Sequence, residues 1–164
     1  MTKILLILRH AKSSWTDLTL ADIDRPLNKR GMKAAPRMGR LLLDEGLVPD
    51  LIISSTALRC RETVELLTPA CDFSGKIIWD PALYGGGFQA YLDAIRRAPD
   101  DVERVMVVGH NPDLEELVDA LTDVDIFLPT GALVRVDAPI DAWSELEATG
   151  DYELVDIWRP RELD

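Results

Sequence analysis

Short, uninterrupted apolar runs recur along the chain at residues 4–8, 51–53, 77–79 and 105–108. A run of this length, rich in Ile, Val and Leu and closed by polar residues, reads as a strand buried on both faces, the pattern of a parallel sheet. Between the runs the apolar spacing changes to that of a helix. Met32, Ala35, Gly39 and Leu42 fall on one face, as do Ala57, Cys60, Val64 and Leu67, and then Leu114, Leu117, Val118 and Leu121. Strand and helix alternate, which predicts an α/β domain of three layers, a mostly parallel central sheet with helices on both faces. Residues 88–97 predict a further short helix, opened by Gly85, Gly86 and Gly87. Residues 133–136 and 152–158 have strand composition and are separated by a loop carrying Pro139, Asp141 and Gly150, so the sheet is expected to end in an antiparallel edge.

Local signals mark the boundaries. Gly46 reads as a helix C-cap, and Asn111 then Pro112 read as a cap followed by the first helical residue. Pro36 lies inside the first helical pattern, where it deletes a backbone bond and is expected to kink the helix.

Composition narrows the picture. At 164 residues and 47% hydrophobic content the chain supports one core, hence a single domain over 1–164. Its 29 acids against 18 bases give a net charge of -11, which opposes binding to nucleic acid or to an anionic membrane surface. The apolar run at 4–8 is far shorter than a signal peptide's apolar region or a membrane span. Two cysteines, Cys60 and Cys71, form neither a metal pair nor a disulfide framework. A cytoplasmic location is expected.

The only two histidines each follow directly on a buried-strand pattern, His10 after Arg9 and His110 after Gly109. A third run, residues 51–53, leads through Ser54, Ser55 and Thr56 to Arg59 near a helix start. Ligands of open α/β sheets bind outside the carboxyl ends of the strands, so three strands are expected to deliver Arg9, His10, Arg59 and His110 to one edge. One histidine at a strand end is as well explained by a structural hydrogen bond; two with attached arginines point to an anion site, because arginine presents a fixed fork of charged donors. No metal is expected, since no Cys or acid follows at ligand spacing and the arginines repel a cation. The glycine run lacks the Gly-Lys-Ser/Thr of a nucleotide loop and reads as a flexible loop. Cys60 fits an apolar helix stripe, Trp15 is placed to line the entrance, and Asn111 is either the helix cap or an orienting partner of His110.

The segment Leu8-Arg9-His10-Ala11-Lys12-Ser13-Ser14-Trp15 resembles the signature of the histidine phosphatase superfamily, which includes phosphoglycerate mutases, and within it the SixA-type phosphohistidine phosphatases. Further matches follow in order: Arg25-Pro26-Leu27 with Gly31, Ser54 to Arg59 with Glu62-Thr63, and Val108-Gly109-His110-Asn111-Pro112. The resemblance implies a phosphoglycerate mutase-like fold and no cofactor. It implies that His10 is a nucleophile forming phosphohistidine, while Arg9, Arg59 and His110 bind the phosphoryl oxygens. Arg25 stands either at the phosphate or in a structural ion pair, and Ser13 either at the ligand or in loop backbone contacts.

Departures from the pattern bear on substrate. Ala11 and Thr16 stand where the mutase-like signature has Gly and Asn, and Pro81 and Ala82 stand where many relatives carry a proton-donating glutamate. An alkoxide leaves poorly without a general acid, whereas a histidine phosphorylated on nitrogen departs as neutral imidazole once its ring is protonated. The expected substrate is therefore phosphohistidine on a protein, with Asp80, Asp17, Glu62 and Asp113 as weaker candidates for an acid. The alternatives are a phosphatase of small phosphomonoesters and a phosphate-binding module without turnover.

Overall fold

A computed structural model describes residues 2–163. In chain order the main elements are β1 (Lys3–Arg9), α1 (Lys29–Asp44), β2 (Leu51–Ser54), α2 (Leu58–Ala70), β3 (Lys76–Trp79), α3 (Gly87–Arg96), β4 (Arg104–Gly109), α4 (Asp113–Thr122), β5 (Leu133–Ala138) and β6 (Glu153–Trp158). The six strands form one sheet in the order β3-β2-β4-β1-β5-β6. The first four are mutually parallel, and β5 and β6 add the expected antiparallel edge.

The period-two geometry of a strand explains why the central runs are apolar throughout. Leu5, Ile7, Val105 and Val107 point into one core with Tyr91, Leu92, Leu114 and Leu117 from α3 and α4. Leu6, Leu8, Met106 and Val108 point into the other, with Met38, Leu42, Cys60, Val64 and Leu67 from α1 and α2. The three-layer reading is met. No helix among the described residues is long and apolar enough to cross a membrane.

Several details differ from the pattern. β3 is an edge strand rather than a buried one: Ile78 and Trp79 are exposed, because only β2 pairs with it. Met32 is 51% exposed, and Met38 fills the inner face instead, beside Ala35, Gly39 and Leu42. α1 continues through Pro36; the backbone bond lost there would have ended on the Met32 carbonyl, one turn back on the solvent side. α1 ends as Gly46 predicts, at φ +68, with Gly46 N–H donating to the Leu43 carbonyl and Leu47 N–H to the Leu42 carbonyl. Pro112 is the cap of α4 rather than its first residue. The glycine run forms the turn into α3, with Gly86 as cap and Gly87 N–H donating to Asp113.

Candidate active site

Sheet register builds the centre of the site. Arg9 pairs with Gly109 across the parallel β1–β4 ladder, so the next residue on each strand, His10 and His110, emerge side by side. Their ring centroids lie 5.3 Å apart. On the other flank of β4, Ser54 pairs with Val108, and the chain turns through Ser55 into α2, whose second residue is Arg59. All four expected side chains converge at the carboxyl ends of the strands and line a pocket of about 260 Å³, together with Lys12, Ser13, Trp15, Arg25, Asn111 and Thr130.

The loop after β1 is fixed by backbone bonds that account for the matched motifs. Ala11 N–H donates to Thr63 Oγ1, which in turn donates to the Arg59 carbonyl, tying the loop to α2. Leu27 bridges Ser13, and its N–H donates to Glu62. Gly109 has a further reason: any Cβ there would collide with the Tyr91 hydroxyl, which accepts the His110 backbone N–H at 3.0 Å.

His10 is 6% exposed, and its Nδ1 lies 2.7 Å from the Ala11 carbonyl. A carbonyl only accepts, so Nδ1 carries the hydrogen and Nε2 of the neutral ring carries the lone pair. Arg59 Nε donates to that nitrogen at 3.3 Å. Burial foremost, with the guanidinium groups of Arg59 and Arg9 nearby, pushes His10 down to about 3, so the ring is neutral at pH 7. Burial and Arg59 likewise push His110 down to about 4. Arg59 Nη2 lies 3.4 Å from His110 Nδ1, which makes Nδ1 the acceptor and leaves Nε2 to donate to Ser55 Oγ at 2.8 Å.

The arginines are packed to receive negative charge. Arg59 is 7% exposed and donates to the Asp22 carbonyl at 2.7 Å and to Asp22 Oδ2 at 3.0 Å. Arg9 donates to the Leu128 carbonyl, and its Nε is buried without a partner among the described residues. A buried charged donor left unbonded is costly, and an oxyanion in the pocket would satisfy it. Arg25 is anchored by Asp22 at 2.7 Å, the Ser14 carbonyl and Ser13 Oγ, and stacks on Trp15 with 3.3 Å to the ring centroid. It therefore lines the pocket and serves in an ion pair at once. No group of His, Cys, Asp and Glu suited to a metal ion occurs among the described residues.

Asp22 is the participant that sequence reasoning missed. Its carboxylate joins Arg59 and Arg25 and accepts from the Tyr84 hydroxyl at 2.7 Å. These bonds, Tyr84 foremost, hold it down at about 2. Its position three residues before Arg25 was the sole local signal. The four acids considered from sequence are engaged elsewhere. Asp80 caps a 3-10 turn and pairs with Arg97, Asp17 binds Thr19, Glu62 binds Leu27, and Asp113 binds Gly87. The Asn111 side chain bonds the Leu128 carbonyl and the Glu115 N–H, not the His110 ring.

Fold and pocket together define an α/β protein with a pocket lined by Arg9, Lys12, Arg25 and Arg59 at the carboxyl edge of its parallel strands. Known proteins agree with that class. Residues 5–85 match the model of the histidine phosphatase superfamily (branch 1). An uncharacterized chloroplastic protein of Arabidopsis thaliana is 32% identical over 98% of this chain and 79% of its own length. A SixA phosphohistidine phosphatase candidate from Agrobacterium tumefaciens superposes with TM-score 0.83 at 31% identity, over 96% of this chain and 98% of that one. The protein histidine phosphatase SixA complexed with tungstate shares the fold, with TM-score 0.80 at 22% identity over 98% and 99%. The chain belongs to the histidine phosphatase superfamily, on its SixA-type branch.

Proposed function

We propose that the protein hydrolyses phosphohistidine borne on another protein, in two transfers through His10. The observation that carries this is the His10 ring itself: Nδ1–H is tied to the Ala11 carbonyl, and the Nε2 lone pair of an uncharged imidazole stands among Arg9, Arg59 and His110. In-line phosphoryl transfer asks the protein mainly for positioning and for charge around the equatorial oxygens, and these side chains supply both.

In the first transfer the Nε2 pair of His10 forms the new N–P bond while the substrate's P–N bond breaks. The substrate reacts with its ring protonated on the other nitrogen, so the bonding pair returns to a cationic ring, which leaves as neutral imidazole. In the second, water attacks phosphorus, the His10 N–P pair returns to Nε2, and phosphate departs as H2PO4-. Arg9, Arg59 and His110 hold the oxygens throughout, and a dianion beside His110 favours its protonated, donating form. Arg25 and Ser13 border the same oxygens.

The acid inventory supports a nitrogen-linked substrate. No carboxylate lines the pocket among the described residues, and Asp22, the carboxylate bonded to Arg59, is ionised far below neutral pH and holds no proton to give an alkoxide. The protein histidine phosphatase SixA is complexed with tungstate, an oxyanion, which supports an oxyanion in this pocket. Incubation with a labelled phosphoryl donor and alkaline trapping should leave an acid-labile phosphate on His10. Phosphohistidine peptide and phosphoramidate should turn over faster than a panel of alkyl phosphates. No trapped phosphate would overturn the mechanism, and faster alkyl phosphate hydrolysis would overturn the substrate.

A further inference from the structure

Beside the active site lies a larger groove, about 660 Å³, that shares Arg9, Lys12 and Thr130 with it. In a chain of net charge -11, seven of the 18 basic residues line this groove: Arg9, Lys12, Arg30, Lys33, Arg37, Arg159 and Arg161. Glu162 is the one acid lining it among the described residues, and Arg159 pairs with it at 3.8 Å. No carboxylate lies within ion-pair distance of Lys12, Arg30, Lys33 or Arg161 among the described residues, and all four are exposed. At a screening length of about 8 Å in physiological salt, charges farther than that from the groove contribute little to its field.

We infer that the groove binds an acidic stretch of the substrate protein adjacent to its phosphohistidine. The inference rests on the phosphatase reading and names the partner's chemistry. Three features favour a polypeptide over a compact polyanion. The cations come from separate parts of the chain: Arg9 from the end of β1, Lys12 from the loop after it, Arg30, Lys33 and Arg37 from α1, and Arg159 and Arg161 from the segment after β6. Four of the seven, Lys12, Arg30, Lys33 and Arg161, are exposed, whereas sites for small anions bury their donors around the ligand. Ala34, Pro129 and Pro160 supply apolar lining, and two aromatic side chains flank the two pockets, Phe127 at 69% and Trp15 at 68% exposure. Exposed aromatics beside arginine mark surfaces that take up protein partners. Spaced carboxylates of an extended chain would meet the cations in turn while its phosphohistidine reaches His10 past Lys12 and Thr130.

The test compares two phosphohistidine peptides, one with Asp and Glu flanks and one with Asn and Gln, on the wild type and on R30E/K33E. Both substituted side chains are exposed on α1 and outside the transfer machinery. In the wild type the acidic flanks should raise kcat/KM about tenfold, a few exposed ion pairs' worth. In R30E/K33E the preference should vanish, with kcat/KM for phosphoramidate within about twofold of wild type. R30Q/K33Q, a milder change, should lose most of the preference and guards against misfolding of the reversal. Binding of the unphosphorylated peptides, read by fluorescence anisotropy, should show the same order and does not depend on turnover. Equal kcat/KM and equal affinity for the two peptides in the wild type would overturn the groove assignment while phosphoramidate turnover kept the enzyme assignment. Competition by tripolyphosphate or by RNA without any peptide preference would overturn it too.

Discussion

Arg59 and Arg30 carry the same guanidinium at the same place, the second residue of a helix, and the molecule uses them in opposite ways. Arg59 is buried, and its nitrogens all face named partners: His10, His110 and both kinds of oxygen on Asp22. Arg30 is exposed at the groove with no carboxylate in reach among the described residues. A desolvated, fixed donor acts strongly on charge that develops beside it, whereas a solvated one gains little from any single partner. On the proposed reading, chemistry belongs to the pocket and selection to the groove, where only several weak contacts together have an effect.

The sharpest break between the two regions is His10→Ala. It removes the lone pair that the proposed first transfer needs, and turnover should fall by about four orders of magnitude or more, the loss typical of a nucleophile. Stopped assays with phosphoramidate would show this, together with loss of the trapped phosphate. Peptide affinity at the groove should survive in the same protein. If His10→Ala retained more than a few per cent of turnover, the covalent route would be wrong.

Acid sensitivity separates the regions next. His10 and His110 sit at about 3 and about 4, both below the ordinary value of 6.5. As pH falls from 6.5 toward 4, the unfolded chain takes up protons that the folded chain refuses. Unfolding free energy should therefore drop by about 1.4 kcal/mol per pH unit for each histidine across that window, and neither contributes above it. Urea unfolding between pH 4.5 and 7.5 measures the slope. His110→Gln should reduce it by one histidine's share, and R30E/K33E should leave it unchanged.

The pocket was far more legible in the sequence than the groove. His10 and His110 each end a buried run, and a parallel sheet then has little choice but to bring both to one edge. Arg59 follows by the same logic from β2. Asp22 and Tyr84 were hidden because their contact spans 62 residues between two loops, and no periodicity constrains where loops meet. Met32 and β3 misled for a related reason: local apolar spacing does not reveal which face of a helix, or which strand of a sheet, the fold leaves uncovered. The groove draws Arg30 and Lys33 from one end of the chain and Arg159 and Arg161 from the other. A net charge summed over the sequence averages such a cluster away.

Asp22→Asn probes the boundary between fixed and free donors. The carboxylate occupies Arg59 and Arg25 and repels an incoming dianion, so its removal should raise tungstate affinity by roughly fivefold, the scale of one nearby charge in a wet site. Titration calorimetry gives the number directly. Weaker binding in Asp22→Asn would mean that the carboxylate's main effect is to hold the two arginines in position.

The smallest effect is expected at Cys60, even though its sulfur lies 3.5 Å from His110 Nε2. The side chain is fully buried in the α1–α2 core, and burial pushes its thiol up to about 12, so no thiolate forms at neutral pH. His110 Nε2 already has Ser55 Oγ at 2.8 Å as its partner, so the ring keeps its orientation without the sulfur. Cys60→Ala should keep kcat/KM for phosphoramidate within about twofold and cost roughly 1 kcal/mol of stability, the scale of a small cavity in a packed core. Iodoacetamide should likewise leave the folded wild type active. A large loss of turnover in a stably folded Cys60→Ala protein would give the thiol a part in holding His110, and would move it from the core's account of the molecule to the pocket's.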